Sequence, residues 1–163
     1  MYRVGIITAS DKGSKGQRED VSGKVIKEIV EDRGYKVERY AVLPDDKDRL
    51  SEEMIYMSDE LGIELILTTG GTGFSPRDNT PEATAAVIDR PTPGISEAMR
   101  YYSLSITPRG MLSRGMSGIR KNRSLIINLP GSAKAVRETL EYIIDSVAHG
   151  LDIMLENDSD CAR

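Results

Sequence analysis

Residues 63–82 read IELILTTGGTGFSPRDNTPE. Ile63 to Thr69 is an apolar run with the length and composition of a strand buried on both faces. It stops at Gly70-Gly71-Thr72-Gly73, and Thr80-Pro81-Glu82 then has the order of an N-cap, a first helical residue and an acidic first turn. A strand, a glycine loop and a helix start in one stretch are the unit from which parallel sheets covered by helices are built.

The same alternation extends in both directions. Upstream, Arg3 to Thr8 is a second buried-strand run, followed by the polar loop Ser10 to Asp20. Val21, Val25, Ile26, Ile29 and Val30 mark a helix with Asp20 as its cap and Gly34 as its stop. Tyr35 to Leu43 reads as a strand ending at Pro44. Leu50, Met54, Met57 and Leu61 make one helical stripe before Gly62. Downstream, Ser124 to Leu129 is a strand, and Val136, Leu140, Ile143, Val147, Leu151 and Met154 line one face of a closing helix. The pattern predicts an α/β fold, an open, mostly parallel sheet between two helical layers. One domain is expected over residues 1–155, with a polar tail over 156–163.

Composition narrows the function. The 163 residues carry 22 Lys and Arg against 26 Asp and Glu, a formal charge of −4, and aromatics are 5%. Nucleic-acid binding normally requires the opposite sign and stacking side chains, so it is disfavoured. No apolar run reaches the roughly 20 residues of a membrane span. The N-terminus lacks the apolar core of a secretory signal. Cys161 is the only cysteine and His149 the only histidine. Neither a disulfide framework nor a Cys/His metal site or Ser-His-Asp triad is expected, and a cytoplasmic protein is.

The candidate chemistry sits in loops that follow strands. The amides of Gly70, Gly71, Thr72 and Gly73 are uncovered and suit a phosphate. Phe74 stands where a Walker loop needs Lys, and Pro76 where a dinucleotide fingerprint needs Gly. Asp78 beside such a cradle implies a hard cation such as Mg²⁺ between carboxylate and phosphate. Asp45, in Leu43-Pro44-Asp45-Asp46, either shares that cation or caps the helix beginning near Lys47. Asn128-Leu129-Pro130-Gly131-Ser132-Ala133-Lys134 is a second such loop, with Ser132 a cap and Lys134 an anion attractor or an exposed charge. Ser10, Asp11, Asp20, Ser22 and Gly23 read as turn and cap residues that border the same edge. Ser113-Arg114 forms a pocket wall or a surface ion pair. Arg120 to Arg123 reads as a solvated basic turn.

Thr68 to Gly73 and Pro76 to Thr84 resemble the molybdopterin adenylyltransferase family, which includes the G domain of gephyrin. Leu43-Pro44-Asp45-Asp46, Pro93-Gly94, Glu97-Ala98-Met99, Leu112-Ser113-Arg114, Gly118-Ile119-Arg120 and Leu125 to Lys134 follow in the family's order. The resemblance implies a molybdopterin-binding fold, usually a homotrimer and possibly a hexamer. It implies Mg²⁺-dependent transfer of AMP from ATP to the phosphate of molybdopterin, with pyrophosphate leaving and the product passing to a molybdate-insertion protein. It places the two essential aspartates at Asp45 and Asp78. The substrate site falls on Ser10, Gly70, Gly71, Thr72, Gly73, Ser113, Asn128, Pro130, Gly131, Ser132 and Lys134. A non-catalytic molybdopterin carrier or scaffold on the same fold is the alternative; some relatives lack the aspartate matched by Asp45, which this chain keeps.

Overall fold

The computed structural model describes residues 1–157; residues 158–163, which hold Cys161 and most of the expected tail, lie outside the described residues. In chain order the strands are β1 (Arg3–Ala9), β2 (Lys36–Leu43), β3 (Leu65–Thr69), β4 (Arg90–Pro91), β5 (Ser117–Arg120) and β6 (Ser124–Leu129). The helices are α1 (Asp11–Ser14), α2 (Val21–Asp32), α3 (Lys47–Ile55), α4 (Thr80–Ala85), α5 (Pro93–Leu104) and α6 (Ala133–Met154). Among the described residues no helix is long and apolar enough to cross a membrane.

The six strands form one sheet in the order β2-β1-β3-β6-β5-β4. The first four are parallel; β5 runs antiparallel to β6, and the short edge strand β4 is antiparallel to β5. Alternation along the strands splits the core in two. Val4, Ile6, Leu65, Leu67, Leu125 and Ile127 pack with the apolar faces of α2 and α6. Ile7, Ile66 and Ile126 face the other way, onto Leu50 and Met54 of α3 and Ala83 of α4. The register holds this division across strands, pairing Leu65 with Leu125, Ile66 with Ile126 and Leu67 with Ile127. These are the three layers the sequence predicts.

Several local readings change. The methionine stripe is buried through Leu50, Met54 and Met57, but the α-helix ends at Ile55 and a π-helical turn, Tyr56–Glu60, carries Met57. Val21 is half-exposed at the start of α2 instead of lying in the core. Thr80 is the first residue of α4, not its cap; Asn79 occupies the cap position and makes no side-chain cap bond. The basic run Arg120 to Arg123 is a tight hairpin turn with Lys121 and Asn122 at positive φ, and Arg120 is partly buried against Asp59 rather than solvated. Helix α5 and strands β4 and β5 are additional to the expected elements, as is the single turn α1 inside the expected loop Ser10 to Asp20.

Candidate active site

The strand order reverses between β1 and β3: after β1 the chain runs to β2 on one side, and after β3 it runs to the strands on the other. In such sheets the crevice beyond the carboxyl ends of the two diverging strands is where ligands bind. A cleft of about 710 Å³ opens there. Its wall is formed by Thr8 to Gly13 at the end of β1 and beyond, Asp45 after β2, Thr69 to Gly71 and Asp78 at the end of β3 and beyond, Gly131 to Ala133 after β6, and Arg18 to Ser22 at the start of α2.

The glycine loop is shaped by close approach. Gly70 and Gly71 have φ of 87° and 68°, a region that costs other residues roughly 1–2 kcal/mol. A Cβ on Gly70 would lie 2.4 Å from the carbonyl oxygen of Ala9, so only glycine lets β3's end seat on that of β1. A Cβ on Gly71 would lie 2.3 Å from Thr80 Oγ1 and 3.2 Å from Asp45 Oδ1. Arg114 staples the loop from outside. Its amide donates to the Thr72 carbonyl, its Nε to the Gly73 carbonyl at 2.7 Å and its Nη2 to the Asp78 carbonyl at 2.9 Å. Its remaining nitrogen pairs with Glu82, whose carboxyl it holds below the usual range. The surface ion pair that Ser113-Arg114 offers in sequence is present with Glu82, whereas the bonds to the glycine loop carry no sequence signal because that loop lies far back in the chain.

The two adjacent aspartates after β2 divide their work. Asp46 caps α3, accepting from the Arg49 amide at 2.9 Å. Asp45 is left to the cleft and exchanges bonds with Asp11. The Asp11 amide donates to Asp45 Oδ2 and the Asp45 amide to Asp11 Oδ1, both at 3.0 Å. Burial raises the Asp45 pKa above its ordinary value; Asp11 and Asp78 add to the rise, while the Asp11 amide and Arg77 oppose it. Asp11 moves the other way, because Arg77 donates to both its oxygens. Asp78 accepts from the Ser75 amide at 3.0 Å, closing the turn that aims it at the cleft.

The other expected site residues separate into groups. Ser10, Gly70, Gly71, Gly131 and Ser132 line the cleft with Asp45 and Asp78. Ser10 also caps α1 and Ser132 caps α6, whose N-terminus therefore opens on the cleft. Thr72 and Gly73 lie beyond the cleft wall, held by Arg114. Ser113, Asn128 and Pro130 border a neighbouring cavity of about 190 Å³ with Met99, Arg100 and Thr139. Asn128 is buried, and its amide nitrogen donates to Thr68 and Thr84 while its oxygen accepts from the Met116 amide. Lys134 borders neither cavity; it is exposed and lies 4.0 Å from Glu138 on its own helix.

A family model described as a probable molybdopterin binding domain matches residues 5–149. The chain belongs to that family. Within it, the chain is 43% identical to a molybdopterin adenylyltransferase of Helicobacter pylori strain J99, covering 94% of this chain and 88% of the relative. It is 42% identical to gephyrin of Dictyostelium discoideum over 93% of this chain, which corresponds to 22% of that longer protein. Among solved structures, the molybdopterin biosynthesis enzyme MoaB from Thermus thermophilus superposes with a TM-score of 0.90 at 43% identity, over 96% of this chain and 98% of the other. Molybdopterin-binding family membership thus agrees with the three-layer fold and its cleft.

Proposed function

We propose that this chain is a molybdopterin adenylyltransferase acting in molybdenum cofactor biosynthesis. The observation that carries the reading is that Asp45, Asp78, the Gly70-Gly71 backbone and the α6 N-terminus all border one cleft. Relatives at about this level of identity bear that name over most of their length.

In the reaction an oxygen of the molybdopterin phosphate attacks the α-phosphorus of ATP. The bond from that phosphorus to the bridging oxygen breaks, and pyrophosphate leaves with the bond's electrons. The protein's task is to hold two polyanions in line and offset their repulsion. Amides of the glycine loop and the start of α6 are preorganised donors for phosphate oxygens. The large cleft suits the nucleotide, and the adjoining cavity bordered by Ser113, Asn128 and Pro130 suits the pterin.

A magnesium ion fits the donor set. Asp45 is a partly buried carboxylate with Asp11 and Asp78 as acidic neighbours, and its charge is unfavourable as it stands. Hard oxygen donors of this kind take Mg²⁺, and Asp45 and Asp78 would hold it. Bound there, the ion supplies charge neutralisation on the triphosphate.

The homotrimer implied by the family resemblance is supported by exposed apolar side chains on α5 and the turn after it. Tyr101, Leu104, Ile106, Met111 and Leu112 all face solvent in the single chain, and a strip of this kind marks an interaction surface. Sedimentation equilibrium reads the stoichiometry.

The deciding experiment is pyrophosphate release from ATP with molybdopterin and magnesium supplied. Asp78→Asn lowers turnover by roughly 10²-fold while molybdopterin binding persists. Pterin binding with no pyrophosphate release from the unaltered protein would reject catalysis in favour of a carrier.

A further inference from the structure

We propose that Arg77 is a positioning residue, clamping Asp11 so that Asp11 in turn fixes the orientation of Asp45. The inference rests on the adenylyltransferase reading above and adds a residue that the cleft wall itself does not contain. Arg77 belongs to the glycine loop, yet it is absent from the residues lining the cleft. Its Nε donates to Asp11 Oδ2 at 3.0 Å and its Nη2 to Asp11 Oδ1 at 2.8 Å. This two-point fork holds the carboxylate plane of Asp11 in a way that a single point charge cannot.

From Asp11 the order passes to Asp45. Asp11 Oδ1 accepts the Asp45 amide, and the Asp11 amide donates to Asp45 Oδ2. Arg77, Asp11 and Asp45 therefore tie together the loops that follow β3, β1 and β2. One oxygen of Asp45 is committed to the protein. The other, Oδ1, faces Gly71, close enough that a Cβ there would come within 3.2 Å. The clamp thus decides which carboxylate oxygen is offered to the cleft. Arg77 also offsets the repulsion between the two carboxylates, since it is the cation that hydrogen-bonds Asp11 directly.

Stability is a poor explanation for this arrangement. The Arg77 side chain is 60% exposed, and exposed ion pairs add little to folding. Orientation is different, because a small displacement of a group that acts on the transition state carries a large kinetic penalty.

The test is a four-corner cycle of the unaltered chain, Arg77→Ala, Asp11→Asn and the double variant. Turnover, KM for ATP and the thermal midpoint are read for each. Arg77→Ala lowers kcat about tenfold with a smaller change in KM and an unmoved midpoint, and Arg77→Lys restores only part of the loss. Asn at position 11 keeps an oxygen for the Asp45 amide but carries no charge, so in that background Arg77→Ala costs nothing further. Equal losses in both backgrounds, or an unchanged kcat in Arg77→Ala, overturn the clamp. Should the unaltered chain release no pyrophosphate, the adenylyltransferase reading has failed instead. The same cycle, read as the affinity for ATP in the presence of magnesium, then judges the clamp alone, and additive losses there overturn it.

Discussion

The hydroxyl of Thr80 donates to the carbonyl of Gly70 at 2.9 Å, and the Thr80 amide donates to the carbonyl of Gly71 at 3.1 Å. The residue that opens α4 therefore also closes the glycine loop, so the loop's shape is set by the helix that follows it. This is why Thr80 is not a cap: its side chain points back across the loop, not along the helix. A fully buried side chain with its hydrogen bond made inside the loop leaves little freedom for the backbone that faces the ligand.

Gly71→Ala tests that coupling. The left-handed backbone costs about 1–2 kcal/mol for any residue with a Cβ, and the added methyl would meet Thr80 Oγ1 at 2.3 Å. The loop must then move away from Thr80. ATP affinity is expected to fall at least tenfold, measured by calorimetry. Thr80→Val, which keeps the shape and removes one hydrogen bond, is expected to cost about 1 kcal/mol in a urea titration and less in affinity.

Asp45→Asn separates stability from function. The asparagine oxygen still accepts the Asp11 amide, so the local structure is retained. The native carboxylate is held above its ordinary pKa chiefly by burial. A raised carboxyl pKa means that ionisation works against folding as pH climbs through the folded value. Removing the charge therefore raises the thermal midpoint near neutral pH in magnesium-free buffer. Turnover falls by about 10²-fold. A midpoint that drops would show that Asp45 is a structural carboxylate instead.

Arg114→Ala removes the outer staple of the loop. The side chain is 34% exposed and makes three distinct contacts to the loop and α4. Charged hydrogen bonds of partial exposure suggest a loss of about 1–2 kcal/mol in urea. Hydrogen exchange at Gly73 to Asp78 should accelerate more than exchange in β3, because the strand is held by its neighbours in the sheet and not by Arg114.

What the sequence made legible follows from range. Ile63 to Thr69 and the glycines after it were readable because a buried strand needs apolar residues at every position, and a left-handed turn against another backbone needs glycine. Asp45 and Asp46 remained ambiguous, since either is a good cap; only the Asp46 bond to Arg49 resolves which one serves. Helix α5 escaped notice because its apolar side chains do not form one buried stripe: Tyr101 and Leu104 are exposed while Met99 is buried. Strands β4 and β5 are short, and Ser117-Gly118 carries no strand signal of its own. Asn128 reads as a substrate-site residue by its place before Pro130-Gly131, and it borders the smaller cavity. Its three partners, in β3, α4 and the segment before β5, are visible only when the sheet is assembled.

Arg120 illustrates the same limit and yields a pH prediction. It lies in a run of cations that resembles a solvated turn, yet its Nε and Nη2 donate to Asp59 at 2.9 and 2.7 Å, and Lys121 Nζ reaches the same carboxylate at 2.7 Å. A third guanidinium nitrogen donates to the Val87 carbonyl. The pair ties the π-helical turn to the β5–β6 hairpin on the side of the sheet away from the cleft. Hydrogen bonds from Arg120 and then Lys121 hold the Asp59 pKa far below its ordinary 3.8. A depressed carboxyl pKa contributes stability that is fully present above the unfolded value and is lost as pH falls through the folded one. Asp59→Asn is therefore expected to cost about 2 kcal/mol in urea near pH 7, the scale of charged hydrogen bonds lost beside a poorly solvated Arg. The gap from the unaltered chain persists to about pH 4 and narrows steadily below that, as the carboxylate of the unfolded chain takes up a proton that the native one still resists. Pyrophosphate release at neutral pH stays within about twofold, because Asp59 lies outside the cleft. A gap that stayed constant down to about pH 2 would show that the asparagine acts through packing and not through lost charge.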